Sequence, residues 1–148
     1  MQWKPNVTVA AVAAQDGRFL VIEEISKGRT VINQPAGHLE KSETLIEAVK
    51  REVMEEAAWE FEPEYIVGFY LYTNRREDKT YLRVCFAGTC EQHYPDKKLD
   101  TGILRALWMT KEELESMQDR MRSSMVMRCF NDFDSGKRYP LEVLNHYI

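Results

Sequence analysis

Gly37-His38-Leu39-Glu40-Lys41-Ser42-Glu43-Thr44-Leu45-Ile46-Glu47-Ala48-Val49-Lys50-Arg51-Glu52-Val53-Met54-Glu55-Glu56-Ala57-Ala58-Trp59 is the stretch on which the reading turns. Leu45, Val49, Val53 and Ala57 recur at every fourth position. That spacing predicts a helix with one apolar stripe, starting at Ser42 or Glu43. Glu52, Glu55 and Glu56 stand at i, i+3 and i+4, so their carboxylates share one side of it. At about 100° per residue, Glu52 and Glu56 each project roughly 20° from Leu45, on opposite sides. They border the apolar stripe, while Glu47, Lys50 and Arg51 look outward.

Carboxylates at the edge of a core are costly: an uncompensated buried charge costs several kcal/mol. One arginine, Arg51, cannot neutralise three of them. A divalent cation can, and hard carboxylate oxygens select Mg²⁺ or Mn²⁺ over zinc, which favours His or Cys. Magnesium at such a site binds substrate phosphates directly and acidifies water. Phosphoryl chemistry is therefore the expectation from this helix.

Outward from the helix, Val7 to Ala13 and Phe19 to Ile25 read as strands around a Gln15-Asp16-Gly17 turn. A Lys27-Gly28-Arg29 turn leads to a strand at Thr30 to Ile32, and Gln34-Pro35-Ala36-Gly37 breaks regular structure. Further strands are predicted at Ile66 to Thr73, Thr80 to Thr89 and Leu104 to Met109. Thr110-Lys111-Glu112-Glu113 forms a capping box that opens a short helix, and a last helix covers Ser124 to Phe133, ending near Gly136. Mixed order without strict βα alternation predicts an α+β chain, an α/β/α sandwich with a mixed sheet. Residues 1–148 read as a single domain, with the acidic motif at 37–59.

Composition narrows the function classes. A net charge of −4 argues against a broad basic surface for nucleic acid. An anionic small molecule would need local positive charge. No apolar run reaches the roughly 20 residues of a membrane span. Met1 to Pro5 carries no signal-peptide core, so a cytoplasmic location is expected. Cys85, Cys90 and Cys129 are odd in number and lack C-x-x-C spacing, so they read as reduced, structural thiols. If Cys85 and Cys90 share a strand, their odd separation puts them on opposite faces.

Gly37, five residues, Glu43, seven residues, then Arg51 to Trp59 resembles the Nudix box, G-x5-E-x7-R-E-U-x-E-E-x-G-U. Chance agreement at so many positions is rarer than about one window in a million at average composition. One position departs: Ala58 stands where the family has glycine. Glycine suits a left-handed helix end and alanine there costs on the order of 1 kcal/mol, so the helix is expected to end differently. The resemblance implies a Nudix fold with its loop-helix, and roles by position. Glu52, Glu55, Glu56 and the Gly37 carbonyl would be metal ligands. Arg51 would orient the carboxylates, Glu43 would tie the loop to the helix, and the three box glutamates with Arg51 would carry catalysis. The general base would be a box glutamate or a later-loop carboxylate; Asp96 and Asp100 lie in such a loop and read as solvated.

Beyond the box, Asn33 to Glu40 resembles the NudJ-type branch of the family. So do Arg122-Ser123, Arg128-Cys129 and Ser135 to Glu142. That similarity implies Mg²⁺-dependent release of orthophosphate from thiamine pyrophosphate, hydroxymethylpyrimidine pyrophosphate and nucleoside di- and triphosphates. Two alternatives stay open. One is a pyrophosphohydrolase of ADP-ribose, nucleoside diphosphate sugars or damaged nucleotides. The other is a Nudix-like sensor that binds a nucleotide without hydrolysing it. The partner is expected to be a small diphosphate or nucleotide, without stable nucleic-acid or membrane association, the protein being a monomer or homodimer.

For substrate contacts, Arg83 alternates with apolar residues on its strand and is a candidate phosphate ligand. A structural salt bridge is its other reading. Tyr70 and Tyr72 share a strand face and could stack a pyrimidine or purine ring, core packing being the other reading for each. Arg138 could reach the pocket from the tail or bridge a helix end. Arg75 and Arg76 read as solvated turn residues, and His38 as a supporting contact rather than a ligand.

Overall fold

A computed structural model describes residues 2–148; Met1, part of the leader segment considered above, lies outside them. Seven strands and three helices follow in the order β1 (Asn6–Gln15), β2 (Arg18–Ser26), β3 (Arg29–Asn33), β4 (Ala36–His38), α1 (Leu45–Ala57), β5 (Trp59–Asn74), β6 (Lys79–His93), β7 (Ile103–Thr110), α2 (Lys111–Glu115) and α3 (Ser124–Asp134). Single 3₁₀ turns cover Gln118–Arg120 and Leu141–Val143.

The sheet is mixed. β1 runs parallel to β6 and antiparallel to β4, and β5 is antiparallel to β6. β2 pairs antiparallel with β3 and β7. β1 and β2 pair only near their hairpin, where Asp16 and Gly17 both take the positive φ of a tight primed turn. The two ladders diverge from that turn, and the cleft described below is lined by residues of both.

β1 is apolar along both faces because both are covered. Val9, Ala11 and Ala13 join Val84, Phe86, Phe61 and the α1 residues Ala48, Val49 and Val53 in one core. Ala10 and Val12 join Cys85, Phe19, Leu114 and the α3 residues Val126, Cys129 and Phe130 in the other. The sheet is therefore sandwiched between α1 on one side and α2 and α3 on the other, the α/β/α arrangement anticipated above. Cys85 and Cys90 share β6 and lie on opposite faces.

Four local expectations change. Helix α1 starts at Leu45, later than Ser42 or Glu43, because Thr44 caps it: the Thr44 hydroxyl accepts from the Glu47 N–H and the Glu47 carboxylate accepts from the Thr44 N–H. Ala58 ends the helix in the left-handed conformation after all, at φ 58° and ψ 36°, donating its N–H to the Met54 carbonyl. Ala36 to His38 is a short strand against β1 rather than irregular chain. β5 begins at Trp59, not Ile66, and carries Pro63 at a register shift on the sheet's edge, where a missing N–H is tolerated.

Candidate active site

Strand β4 and helix α1 press the acidic face against a glycine. A side-chain carbon built on Gly37 would collide with the Glu52 carboxyl group, so any larger residue would push that carboxylate from its place. Glu56 reaches past it to accept the Ala36 N–H at 2.9 Å. Glu52 and Glu56 are 8% and 9% exposed, which places two of the three carboxylates at the floor of the site rather than on a wet helix face.

Arg51 organises the rest. Its Nε donates to Glu43 Oε2 and its Nη2 to Glu43 Oε1 and the His38 carbonyl. Its Nη1 donates to Glu52 Oε1 at 2.7 Å and Glu55 Oε1 at 2.8 Å. All five N–H groups of the guanidinium are used. Glu43 also accepts the Glu40 N–H, closing the loop that leads into α1.

The electrostatics follow from this unequal sharing. Hydrogen bonds from Arg51 hold the Glu43 carboxyl below the usual carboxylate range. Burial pushes Glu52 upward despite Arg51. Glu56, out of reach of Arg51, is pushed up to about 9, chiefly by burial, with Glu52, Glu24 and Asp100 adding repulsion against its Ala36 hydrogen bond. The Asp100 N–H donates to the Glu55 carbonyl, so the loop after β6 docks on the end of α1. Asp100, read as merely solvated, thus lies close enough to bias the glutamates. Asp96 lines a separate small pocket with Met54 and Tyr94.

Above the acidic floor opens a cleft of about 610 Å³. Its walls include Gly37, Glu52, Glu56, Arg83, Tyr72 and Tyr81. Lys27, Arg29, Arg76 and Arg122 line it too, so Arg76 is at the cleft rather than a bystander. Tyr72 stacks on its cross-strand partner Tyr81, with ring centroids 5.3 Å apart and planes 20° from parallel. Arg83 is 6% exposed and donates to Gln34 Oε1 at 3.1 Å. It has no ion-pair partner among the described residues, so the salt-bridge reading falls away.

Two candidates belong elsewhere. The Tyr70 hydroxyl donates to Asp132 Oδ2 at 2.8 Å, pinning β5 to α3, and Tyr70 is absent from the cleft walls. Arg138 donates to the Phe133 and Lys137 carbonyls and lies over the Tyr65 and Phe133 rings. It caps the end of α3 by carbonyls and aromatic faces, instead of a salt bridge. Tyr81 and Arg122 line the cleft without having been singled out for it, and Gln34 holds Arg83 from behind. Gln34 sits in a stretch read as a break and as part of the NudJ-type resemblance, and strand alternation cannot tell which of two buried faces opens to a cavity.

Among the described residues no three His, Cys, Asp or Glu side chains are already gathered as a metal cage. Arg51 stands between Glu52 and Glu55 instead. The donor chemistry nonetheless fits a hard cation. The oxygens are carboxylate, Glu56 is buried with no cationic partner, and Gly37 brings backbone close to Glu52.

The NUDIX domain family matches residues 3–128. The chain is 39% identical to phosphatase NudJ of Escherichia coli K12 over 146 residues, covering 98% of this chain and 94% of that one. A NUDIX hydrolase from Nitrosomonas europaea superposes with a TM-score of 0.96 at 48% identity, over 97% of this chain and 98% of that one. The NUDIX domain of Shewanella oneidensis NrtR, solved with ADP ribose, shares the fold at a TM-score of 0.70 and 14% identity, covering 90% of this chain and 89% of that one. With its glutamate helix, glycine contact and mixed-sheet sandwich, this chain belongs to the Nudix hydrolase superfamily and is closely related to the NudJ-type phosphatases.

Proposed function

We propose that this chain, acting as one domain, hydrolyses the terminal phosphoanhydride of small organic diphosphates and nucleoside di- and triphosphates, releasing orthophosphate. Thiamine pyrophosphate, hydroxymethylpyrimidine pyrophosphate and the common nucleotides are the substrates to try first. The observation that carries the reading is the pair of buried carboxylates, Glu52 and Glu56, on the floor of a cleft whose upper walls are cationic and aromatic.

Glu52, Glu55, Glu56 and the Gly37 carbonyl would hold Mg²⁺, or Mn²⁺ in its place. When bound, the ion supplies charge neutralisation at the phosphates and lowers the pKa of water. The protein's own part is positional. Arg51 fixes Glu52 and Glu55 from one side, and the Ala36 N–H fixes Glu56 from the other. Thr44 caps α1, so the acidic turn has a rigid base. The cationic walls attract the phosphate chain into the cleft despite the overall charge of −4. No helix among the described residues is long and apolar enough to cross a membrane.

The test is product analysis with and without Mg²⁺. Orthophosphate release from diphosphates is expected, abolished by chelation. Glu52→Gln should lower kcat at least roughly 100-fold, the scale of removing a catalytic electrostatic group. Pyrophosphate as sole product from triphosphates would overturn the orthophosphate reading. Tight nucleotide binding without turnover would favour a sensor.

A further inference from the structure

Among the described residues Arg83 is a buried cation with no carboxylate partner. Its guanidinium touches an amide oxygen, Gln34 Oε1, and lies beside the Cys129 thiol. Gln34 itself is fully buried and anchored to the Ala11 carbonyl at 3.0 Å, so the guanidinium is held by a fixed neutral group. An arginine has five N–H donors, and a buried charge without an ion-pair partner is costly. Arg51, which braces the acidic floor through Glu52, spends all five on the protein. Arg83 does not, and it lines the cavity.

Sheet register sets where these groups lie. His38, Thr8 and Arg83 are neighbours across β4, β1 and β6. Arg83 is therefore two strand spacings, roughly 10 Å, from the strand bearing Gly37. Tyr81 lies two residues from Arg83 on the same face of β6, roughly 7 Å further along, stacked with Tyr72. The cleft thus brings together an acidic floor, the buried Arg83 guanidinium and the Tyr72–Tyr81 pair, with Tyr81 also beside His38 at 6.4 Å between ring centroids.

We infer that Arg83 binds the phosphate that stays with the organic group, with that group's ring against Tyr72 and Tyr81. This rests on the hydrolase reading above and adds the substrate's direction. The class is a diphosphate ester of a flat heteroaromatic group. Water adds to the terminal phosphorus over the acidic floor, and the bond from that phosphorus to the bridging oxygen breaks. The bridging oxygen leaves on the inner phosphate, so orthophosphate departs and the organic monophosphate remains on Arg83. A guanidinium suits both stages, since it pairs with two oxygens of one phosphate.

The test uses adenosine monophosphate and inorganic phosphate as probes with the full chain. In chelator, the wild type should bind adenosine monophosphate, and Arg83→Met should bind it at least roughly tenfold more weakly, the loss of a charged hydrogen-bond pair. In Mg²⁺ with adenosine diphosphate, the variant's KM and its inhibition constant for adenosine monophosphate should rise by the same factor. Inhibition by inorganic phosphate should stay as in the wild type, and kcat should fall less than KM rises. Unchanged adenosine monophosphate binding overturns the assignment. So does equal weakening of both probes, which would put Arg83 on the departing phosphate or make it a support for the fold. Should Arg83→Met not fold, Arg83→Lys carries the same readout, since an ammonium keeps the charge but loses the two-point geometry. If the wild type binds the monophosphate through Arg83 yet hydrolyses nothing, the hydrolase reading fails and the binding assignment stands.

Discussion

Arg51, bonded to Glu52 beneath the cleft, and Arg83, on the cleft wall, carry the same charge, yet their surroundings differ in kind. Arg51 meets three carboxylates and a carbonyl, and every donor is taken. Arg83 is more deeply buried and meets one amide oxygen at hydrogen-bond distance. The first arrangement raises the guanidinium's proton affinity, with its hydrogen bonds to Glu43 as the largest cause, and locks a loop to a helix. The second leaves a charge and several donors facing a cavity. Which arginine serves the fold and which serves a ligand is thus decided by what each lacks. Burial alone would rank them the wrong way round.

The sharpest way to break that contrast is stability. Arg51→Met would leave Glu43, Glu52 and Glu55 without their shared cation, and should cost about 3 kcal/mol in denaturant unfolding, the scale of breaking a buried pair. Arg83→Met removes a charge that no described carboxylate pairs with, so its unfolding free energy should stay within about 1 kcal/mol of wild type. Equal losses in the two variants would erase the distinction.

A second effect concerns the third glutamate. The Glu56 carboxyl lies above its ordinary 4.5, at about 9, chiefly because of burial. The folded state therefore holds a proton that the unfolded chain releases near pH 4.5. Stability from this group is full below that pH and is lost as pH rises toward 9. Metal-free protein should lose up to about 4 kcal/mol of unfolding free energy, roughly 10 °C in Tm, from about pH 5 to about pH 8. Glu56→Gln should flatten the slope, and saturating Mg²⁺ should offset it in the wild type alone. A flat profile in metal-free wild type would mean that Glu56 is ionised and compensated by a group other than those described.

What could be read in advance follows the range of the forces. Helix α1 and its acidic side were legible because helical periodicity is local and the glutamate spacing is rigid. Both cores were legible in outline because β1 and β6 are apolar on both faces. The same feature hid the cleft: when alternate residues of β6 are all buried, alternation cannot say that Arg83 opens to a cavity while Cys85 packs under α3. Tyr70 and Arg138 were misplaced because their partners, Asp132 and the end of α3, arrive from about sixty residues away or through a turn whose direction no local pattern fixes. Strand β4 was missed because it is three residues long and follows a proline. The start of β5 was masked by Pro63, although Glu60, Phe61, Glu62 and Pro63 already alternate between exposed and buried.

Ala58 supplies the finest test, because three small terms oppose one another there. The left-handed conformation costs an alanine about 1–2 kcal/mol more than a glycine. Glycine gives back roughly 0.4–1 kcal/mol through its freer unfolded chain. Ala58 is also buried, and its methyl contributes about 0.8 kcal/mol that glycine would forfeit. The sum lies near zero, which explains how alanine occupies a position that suits glycine. Ala58→Gly should therefore change unfolding free energy by less than about 0.5 kcal/mol and leave turnover as it was, since Arg51 and the Ala36 N–H, rather than the helix end, hold the carboxylates. A loss of activity at unchanged stability would show that the end of α1, and with it the Asp100 loop docked on Glu55, sets the acidic side of the cleft more than Arg51 does.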